Sequence, residues 1–354
     1  MDGKLIEAWA EHMCGFKPKT SQPHVPAGLL ALMALAAALL PACLNPPQGV
    51  YEFALVGDAP YGADRVPLFE ALIDHVNERP QLEWVIHVGD IKQAGEPCTD
   101  QLLRSRFDLF QRFAFPFVYT PGDNDWFDCP GGSGTVPDEY GRLDFLRSLF
   151  FADPARTTGR RSMPVRTQAS EPGFEKFVEN VLWLRGPAVY ATVHLIAVTR
   201  EPTDAAAEEH RVDAAIEWIR TAFAVARESS SAAVFIATQA DPWMVRGLPE
   251  VTRLLCEACL DPQPGLERIY PVLVDESRSF AGPVVLAVGD THIFRVDKPL
   301  YAPDGLLVEN FTRVETFGEP HVHWVRVTVD RADPQVFSFH QELVPANTAP
   351  VPGH

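Results

Sequence analysis

Short apolar runs alternate with amphipathic segments along most of the chain after residue 50. The runs are rich in Val, Ile and Phe and have the length of buried β-strands, whereas the segments between them repeat apolar residues with helical spacing. Continuously apolar strands that alternate with helices are typical of a sheet covered on both faces, so the pattern predicts an α/β fold. The predicted strands are Phe53–Val56, Trp84–Val88, Phe115–Tyr119, Val193–Val198, Ala233–Ala237 and Val284–Val288, and the predicted helices are Val66–Asn77, Thr99–Phe113, Asp138–Phe151 and Asp204–Arg227.

Beyond Leu306 the pattern changes to alternating apolar and polar positions, which is typical of half-buried strands. Two such strands are predicted over Val322–Val329 and Val336–His340, with little helix around them. No internal repeat and no linker interrupts residues 50–345. We therefore predict that this part of the chain folds as a single domain.

The first 43 residues form a separate segment. Ala27–Leu40 carries no charge, follows two lysines and is too short to cross a bilayer comfortably, which is typical of the apolar region of a signal peptide. It leads into Leu40-Pro41-Ala42-Cys43, which resembles the lipobox of bacterial lipoproteins, although Pro41 is unusual there. We predict that residues 1–43 are a leader and that the protein is exported, either to the periplasm or to a membrane that it meets only through a lipid anchor on Cys43. The alternative for this segment is a buried core helix.

Acidic side chains outnumber basic ones by 47 to 30, which gives a formal net charge of −17. A surface this negative repels phosphate backbones, so general nucleic-acid binding is excluded. Basic residues are dense only in the polar segment Pro154–Glu179. A solvated loop is the favoured interpretation of this segment, and a clamp for a substrate anion is the alternative. Its arginines are Arg156, Arg160, Arg161 and Arg166.

Four of the predicted strands are followed by the same dipeptide, Gly-Asp. Open α/β sheets bind ligands outside the carboxyl ends of their strands. Glycine lets the backbone turn sharply there, and the aspartate then projects into the crevice. Four carboxylates gathered in this way repel each other unless cations lie among them, and two divalent ions would balance their formal charge. The four motifs are Gly57-Asp58, Gly89-Asp90, Gly122-Asp123 and Gly289-Asp290.

Export bears on the cysteines, because disulfides persist in oxidising compartments. Apart from Cys14 and Cys43, which lie in the leader, the chain has four cysteines, and they allow three pairings. Cys256 and Cys259 suit a local disulfide better than half of a zinc site, since no second pair matches them. Cys98 and Cys129 follow the Asp90 and Asp123 motifs, and both loops should cross the same crevice. We therefore predict a disulfide between Cys98 and Cys129.

The order and spacing of the strand-end motifs over residues 51–296 resemble those of the calcineurin-like metallophosphoesterases. The resemblance implies a four-layer αββα sandwich with a two-metal centre on the strand-end loops. It also implies hydrolysis of a small phosphorylated substrate, in which two divalent ions activate a hydroxide. Phosphatase and phosphodiesterase activity are both open at this point.

Several residues depart from the pattern of that family. Pro60 stands where the family has a histidine in its first motif, and Asn124 stands where it has the catalytic histidine. At the second metal, each lost imidazole is replaced by a side chain with an oxygen donor. By the resemblance, one metal is bound by Asp58, Asp90 and His292, and the other by Asp90, Asp123, Gln239 and Asp290.

These departures bear on the metal and on the reaction. Ligand sets rich in oxygen suit Mg, Mn or Ca better than Zn, so we predict two ions of that kind. Asn124 cannot donate a proton as an imidazole does, and Asp125 or Asp128 is the candidate substitute. The alternative function is a non-catalytic exported lipoprotein that keeps the fold and binds metal or ligand. Pro60 and Asn124 favour that alternative, and the retained acidic cluster opposes it.

Overall fold

Two β-sheets lie at the centre of the computed structural model, which describes residues 49–129, 138–243 and 265–348. The predicted leader, Cys256 and Cys259 lie outside these residues. The strands are β1 (Tyr51–Val56), β2 (Leu82–His87), β3 (Phe117–Tyr119), β4 (Arg166–Thr167), β5 (Val181–Arg185), β6 (Ala188–Thr192), β7 (Ala233–Ala237), β8 (Val284–Val288), β9 (Arg295–Asp297), β10 (Phe311–Glu315), β11 (Trp324–Val329) and β12 (Phe337–Glu342). The helices are α1 (Val66–Asn77), α2 (Asp100–Phe110), α3 (Glu139–Phe150), α4 (Ala205–Glu228) and α5 (Ile269–Ser279).

The strand order explains why the strand ends meet. In the described residues, one sheet runs β12-β11-β1-β2-β3 and the other runs β4-β5-β6-β7-β8-β10-β9. In the first sheet, β1, β2 and β3 run parallel to one another. In the second sheet, β6, β7, β8 and β10 run parallel to one another. Each sheet therefore gathers the carboxyl ends of several strands at one edge.

Aromatic side chains fill the space between the two sheets. Phe53 stacks on Trp84 with ring centroids 5.1 Å apart, and it meets Phe235 of the other sheet edge-on at 5.2 Å. Burial of each such ring contributes about 1.5–3 kcal/mol. Helices α1, α2 and α3 cover the outer face of the first sheet, and α4 and α5 cover the outer face of the second. The layers are thus αββα, which confirms the predicted four-layer sandwich.

One of the sequence predictions needs correction, and one helix was not predicted. The strand predicted over Val193–Val198 is wrong, since β6 ends at Thr192 and the following residues form no strand. Val193 and Leu195 are fully buried, so the apolar run there reflects burial and not strand pairing. The sequence also did not predict α5, which buries Ile269, Leu273 and other apolar side chains against the second sheet. None of the helices in the described part of the chain is long and apolar enough to span a membrane.

Candidate metal centre

Loops from both sheets are joined at the carboxyl ends of their strands. The N–H of Asp58 donates to the carbonyl oxygen of Gly89 (3.0 Å), which joins the loops after β1 and β2. The N–H of Gly289 donates to the carbonyl oxygen of Gln239 (2.9 Å), which joins the loops after β8 and β7. The N–H of Glu319 donates to the carbonyl oxygen of Asp58 (3.0 Å), so the two sheets are connected at this edge.

The glycines of the Gly-Asp motifs make room for neighbouring carboxylates. A Cβ atom on Gly122 would lie 1.9 Å from Oδ1 of Asp90, and one on Gly289 would lie 2.2 Å from Oδ2 of Asp58. Glycine is therefore required at these two positions by close approach. The sharp turn that the sequence predicted is present as well, in the aspartates themselves. Residues with a left-handed backbone in this region are Asp58 (φ 50°), Asp90 (φ 56°), Asp290 (φ 81°) and His292 (φ 65°).

His292 is oriented by its Nδ1 and presents Nε2 to the first predicted ligand set. Its Nδ1 lies 2.6 Å from the carbonyl oxygen of Glu319, to which it donates its proton. The other nitrogen, Nε2, lies 3.7 Å from Oδ1 of Asp58 and 3.4 Å from the hydroxyl of Tyr61. This arrangement is typical of metal-binding histidines, whose second nitrogen is fixed by a backbone carbonyl or a carboxylate.

Asp90 lies at the middle of the centre and accepts hydrogen bonds from several donors. Its Oδ2 accepts the side-chain amide of Asn124 (2.7 Å) and that of Gln239 (3.2 Å). Its Oδ1 accepts the backbone N–H of Asn124 (3.1 Å). Asn124, predicted at the catalytic position, and Gln239, predicted at the second metal, thus both contact Asp90 directly.

Asp123 and Asp290 complete the second predicted ligand set. Asp123 is buried, and its charge acts on Asp90. The backbone N–H of Asp290 donates to Oδ1 of Asp58 (3.1 Å), and its own Oδ2 lies 3.4 Å from the backbone nitrogen of Asp241. The charges of Asp123 and Asp290 therefore act on the carboxylates of the first predicted ligand set.

Burial makes the negative charge of this cluster unfavourable. Burial, together with the charges of Asp290 and Glu315, raises the pKa of Asp58 well above its usual range. Burial, followed by the charges of Asp123 and Asp125, raises the pKa of Asp90 in the same way. A nearby cation would reverse both shifts, because it favours the charged carboxylates.

The chemistry of the available donors suits a hard divalent cation. Oδ2 of Asp58 and Oε1 of Gln239 are buried and have no hydrogen-bond partner. Such oxygens are ligands that Mg²⁺, Mn²⁺ and Ca²⁺ prefer. Within the described residues, no group of three or more His, Cys, Asp or Glu side chains is gathered closely enough to hold a metal ion by itself.

Asp125 anchors a loop and does not face the centre as a free acid. Its Oδ2 accepts the hydroxyl of Tyr119 (2.6 Å) and the N–H groups of Gly122 (2.8 Å) and Asp90 (3.1 Å). Its Oδ1 accepts the N–H of Ile91 (2.7 Å). This favours a role in fixing the position of Asp90 over the role of substitute acid. The other candidate, Asp128, accepts the hydroxyl of Thr199 (2.8 Å).

No protein-family model and no curated protein sequence matches the chain. Solved structures do match it at low identity. GAP50, the anchor in the inner membrane complex of Plasmodium, is 10% identical with a TM-score of 0.50, and the match covers 85% of this chain and 87% of that one. A purple acid phosphatase from yellow lupin seeds is 13% identical with a TM-score of 0.48. A 5'-nucleotidase precursor from Thermus thermophilus is 14% identical with a TM-score of 0.43.

The chain shares its four-layer αββα fold with GAP50. The chain spans about half the length of the lupin and Thermus proteins, since the matches cover 54% of each of them. At these identities the likeness is one of fold. The shared fold therefore does not determine the function, which depends on the side chains of this chain.

His87 connects the two loops that carry Asp58 and Asp90. Its Nδ1 accepts the N–H of Gly89 (3.1 Å), and its Nε2 donates to the carbonyl oxygen of Ala59 (3.1 Å). The ring is fully buried, and this burial lowers the pKa of His87 to about 4. A neutral imidazole is therefore part of the folded centre, which gives this histidine a positioning role that the sequence did not reveal.

Acidification is expected to destabilise the fold through His87. The folded-state pKa of about 4 lies below the ordinary value of 6.5, so the unfolded chain binds the proton first. The contribution of this group is complete above pH 6.5 and is lost as the pH falls toward 4, with a total of about 3 kcal/mol. Urea unfolding of the wild type and His87→Gln across this range checks the prediction. Equal pH dependence in the two proteins would exclude His87 as the cause.

Cys98 and Cys129 form the disulfide that the sequence predicted. Their Cα atoms lie 5.5 Å apart, and Cys129 is buried. The bond joins the loop after β2 to the loop after β3. It therefore links the segments that carry Asp90 and Asp123, at a sequence separation of 31 residues.

Removal of this disulfide is expected to lower the free energy of unfolding by about 2–4 kcal/mol, because the unfolded chain regains the entropy of an open loop. Chemical denaturation of Cys98→Ser/Cys129→Ser beside the wild type measures the loss. A reductant should lower the stability of the wild type and leave the double variant unchanged. Peptide mapping that finds both thiols free in the exported protein would contradict the pairing.

Two arginines of segment Pro154–Glu179, which could be a solvated loop or an anion clamp, have partners away from the strand-end aspartates. Arg161 donates to the carbonyl oxygen of Ala114 (2.7 Å), before the amino end of β3. Arg166 pairs with Glu171 (2.7 Å) within the segment itself. The contact of Arg161 lies before β3, whereas Asp123 follows the end of that strand. Arg166 lies in β4 of the other sheet, with its guanidinium 5.7 Å from the ring centroid of Trp218. The segment braces the edge of the sheet.

Besides His87, two further residues belong to the centre although the sequence did not indicate them. Tyr61 places its hydroxyl 3.2 Å from Oδ2 of Asp90, and it lies three positions after Asp58 in the same loop. That short spacing was the signal that could have revealed it. Glu319 supplies the carbonyl oxygen that orients His292, but it is 258 residues from Tyr61, which its side chain also contacts. No local pattern could have revealed that contact.

Proposed function

We propose that the chain is a metal-dependent hydrolase of small phosphoesters. The observation that carries this proposal is the buried pair Asp58 and Asp90 beside Nε2 of His292. Buried carboxylates are costly unless a counter-charge accompanies them. The unpartnered Oδ2 of Asp58 supports a cation as that counter-charge.

Two sets of side chains would hold the cations. The first is Asp58, Asp90 and His292, and the second shares Asp90 with Asp123, Gln239 and Asp290. Divalent cations at such a site supply Lewis acidity and neutralise charge during phosphoryl transfer. Asn124 and Tyr61 are uncharged hydrogen-bond donors at partly exposed positions, where they can orient a phosphoryl oxygen.

Metal analysis together with an aryl-phosphate assay tests this proposal. Protein purified from an exporting host should contain a divalent cation and hydrolyse a nitrophenyl phosphate ester. Treatment with a chelator should remove both properties, and the cation should restore both. Protein that binds cations with all ester and anhydride substrates left intact would refute hydrolysis while leaving the cation site in place.

The identity of the cation is a separate prediction. Because the donors are mainly carboxylate and amide oxygens, metal-stripped protein is expected to regain more activity with Mn²⁺ or Mg²⁺ than with Zn²⁺. Titration of the stripped protein with each cation, with hydrolysis as the readout, provides the measurement. A clear preference for Zn²⁺ would contradict the assignment of oxygen ligands.

A non-catalytic binding protein is the second candidate, and the contacts of Asp90 and Asp125 favour it. The side-chain amides of Asn124 and Gln239 donate hydrogen bonds to the carboxylate of Asp90, and backbone N–H groups donate to the carboxylate of Asp125. The centre then lacks an evident proton donor for the leaving group. The same fold occurs in GAP50, which is described as an anchor in the inner membrane complex of Plasmodium. Cation binding without turnover would support this candidate.

We also propose that the protein is exported, with Cys43 as the site of a lipid anchor. The disulfide Cys98–Cys129 supports an oxidising compartment. Fractionation of the host cells checks the location, and Cys43→Ser should release a lipid-anchored protein from the membrane fraction. Recovery of the wild type in the reducing cytoplasm would contradict export.

A further inference from the structure

A hairpin of residues 155–165, called here the arginine hairpin, lies beside β3 at the edge of the first sheet. Its two arms are joined by backbone hydrogen bonds, such as that from the N–H of Thr157 to the carbonyl oxygen of Met163 (3.0 Å). The first arm also pairs with β3, where Thr158 and Phe117 exchange backbone hydrogen bonds of 2.9 and 3.2 Å. The arginine hairpin is therefore a fixed part of the fold.

Three arginines of this hairpin are exposed and have no acidic partner. No carboxylate oxygen of the described residues lies within 4.0 Å of the guanidinium of Arg156, Arg160 or Arg161. Most other arginines in this part of the chain pair with an aspartate or glutamate, and the further exceptions are Arg104 and Arg331. The arginine hairpin is thus a local concentration of uncompensated positive charge on a chain whose formal net charge is −17.

Two of the three guanidinium groups are held in place by neighbouring groups. Nε and Nη2 of Arg156 donate to the hydroxyl of Ser162 (3.0 and 2.9 Å), and Nε of Arg161 donates to the carbonyl oxygen of Ala114 (2.7 Å). The guanidinium of Arg161 also lies 4.9 Å from the ring centroid of Phe115. A guanidinium has five N–H donors, so others stay available on each group. Such donors bind phosphate oxygens well, because they can make two parallel hydrogen bonds.

The tip of the arginine hairpin lies at the opposite end of the first sheet from the proposed cation site. The N–H of Arg160 donates to the carbonyl oxygen of Phe113 (3.0 Å), a residue that precedes the start of β3. Asp123 follows the end of the same strand. The arginines therefore do not serve the strand-end centre, and the anion that they fit is a separate one.

Screening allows this hairpin to approach a negative surface although the whole chain is acidic. Charges act over only about 8–10 Å at 0.1–0.15 M salt, so carboxylates on the far side of the molecule have little effect there. The acidic residue nearest in sequence, Asp153, accepts the N–H of Ala155 (3.2 Å). The surface that can meet an anionic partner is therefore the arginine hairpin.

A lipid bilayer is the partner that these observations favour. It presents many phosphates in one plane, so several arginines of an exposed hairpin can bind at once, with a gain of about fivefold in binding for each. The proposed lipid anchor would bring the chain to such a surface. A single acyl chain binds only marginally and needs a second signal, for which a basic patch is suitable.

We infer that Arg156, Arg160 and Arg161 form a docking surface for the anionic headgroups of a lipid bilayer. This inference goes beyond the proposed hydrolase and the proposed anchor, because it assigns a membrane contact to the folded domain itself. It requires neither a cation at the strand ends nor turnover. A docked molecule would direct the carboxyl ends of β1, β2 and β3 away from the bilayer, where a soluble substrate can reach them.

Co-sedimentation of the full-length protein with lipid vesicles tests the inference. Vesicles of phosphatidylcholine alone are compared with vesicles of equal parts phosphatidylcholine and phosphatidylglycerol. The readout is the ratio of the two partition coefficients, to which an acyl anchor contributes equally. We expect a ratio well above one at low salt, and a value near one at about 1 M salt, where charges act over about 3 Å. Arg156→Gln/Arg160→Gln/Arg161→Gln should lower the low-salt ratio on the order of 100-fold.

Three further variants separate a docking surface from a general charge effect. The matched control removes the same charge from exposed arginines that pair with acids, and it should keep the wild-type ratio; it is Arg220→Gln/Arg227→Gln/Arg268→Gln. Lysine at all three hairpin positions keeps the charge and should keep most of the ratio. Arg160→Glu changes a side chain that makes no hydrogen bond within the described residues, so the hairpin stays intact. It should lower the ratio by about 10-fold or more.

Each outcome bears on the inference alone. A wild-type ratio near one at low salt would overturn it. Equal losses in the hairpin variant and the matched control would also overturn it, because net charge would then explain the binding. Binding of soluble polyphosphate with a vesicle ratio near one would replace the bilayer by a soluble polyanion. None of these measurements depends on cation binding or hydrolysis, so a failure of the proposed function is seen separately.

Discussion

Replacement of Asp90 by Asn is expected to abolish hydrolysis and to weaken cation binding by about 100-fold or more. Asp90 is the carboxylate shared by both proposed ligand sets, so its loss affects every cation at the centre. The variant should nevertheless fold. Burial raises the pKa of Asp90 in the cation-free protein, so a neutral amide there removes an unfavourable charge. The melting temperature of cation-free Asp90→Asn should therefore equal or exceed that of the cation-free wild type.

Asp108→Asn is the matched control, because Asp108 is exposed on α2 and the substitution removes the same charge. It should retain both cation binding and hydrolysis. Metal analysis, calorimetry and the aryl-phosphate assay on the three proteins make the comparison. Full cation occupancy in Asp90→Asn would show that the ligands have been assigned wrongly.

Hydrolysis by the natural protein is expected to depend steeply on the leaving group. An alkoxide leaves poorly and needs a proton in the transition state, and general acid catalysis is worth about 10²–10⁴-fold. Asn124 stands where the resemblance implies an imidazole acid, and its amide is bonded to Asp90 (2.7 Å). Both carboxylate oxygens of Asp125 accept hydrogen bonds from backbone N–H groups. Aryl esters and anhydrides should therefore react much faster than alkyl esters.

Asn124→His should raise the alkyl-ester rate by about 10²-fold or more and the aryl-ester rate much less. A series of esters with graded leaving-group pKa, assayed on both proteins at equal metal occupancy, measures this. Asn124→Gln serves as the control, because it changes side-chain length without adding an acid. A flat dependence in the natural protein would show that another group already donates the proton.

The parts of this fold that could be predicted are those that depend on near neighbours in the sequence. The apolar spacing of α1 and the apolar runs of β7 and β8 gave Val66–Asn77, Ala233–Ala237 and Val284–Val288 with the observed bounds. The apolar face of a helix and a buried strand can each be predicted from the pattern of a few consecutive residues. The pairing of Cys98 with Cys129 followed from the positions of the Gly-Asp motifs, so it too was available.

The remainder depends on contacts that the sequence does not record locally. Strand β10 carries Glu315, which accepts hydrogen bonds from the N–H of Thr291 (2.9 Å) and from Nε of Arg295 (2.7 Å) and so fixes the loop that carries His292. Neither partner could be assigned without knowledge of which strands are adjacent. Asp125 shows the opposite case, since its residue type suggested an acid and its surroundings make it an anchor. Residue type alone cannot distinguish these roles, because they differ only in hydrogen-bond partners.

The left-handed backbone of four proposed site residues has a consequence for directed evolution. Outside glycine, that conformation costs about 1–2 kcal/mol per residue, less for Asp and His where local hydrogen bonds compensate. Glycine at positions 58, 90, 290 and 292 would relieve this strain and remove the buried charges. A library sorted only for melting temperature should therefore accumulate glycine at these positions. Selection for a high melting temperature alone would therefore remove the proposed site residues, unless cation binding is selected in the same round.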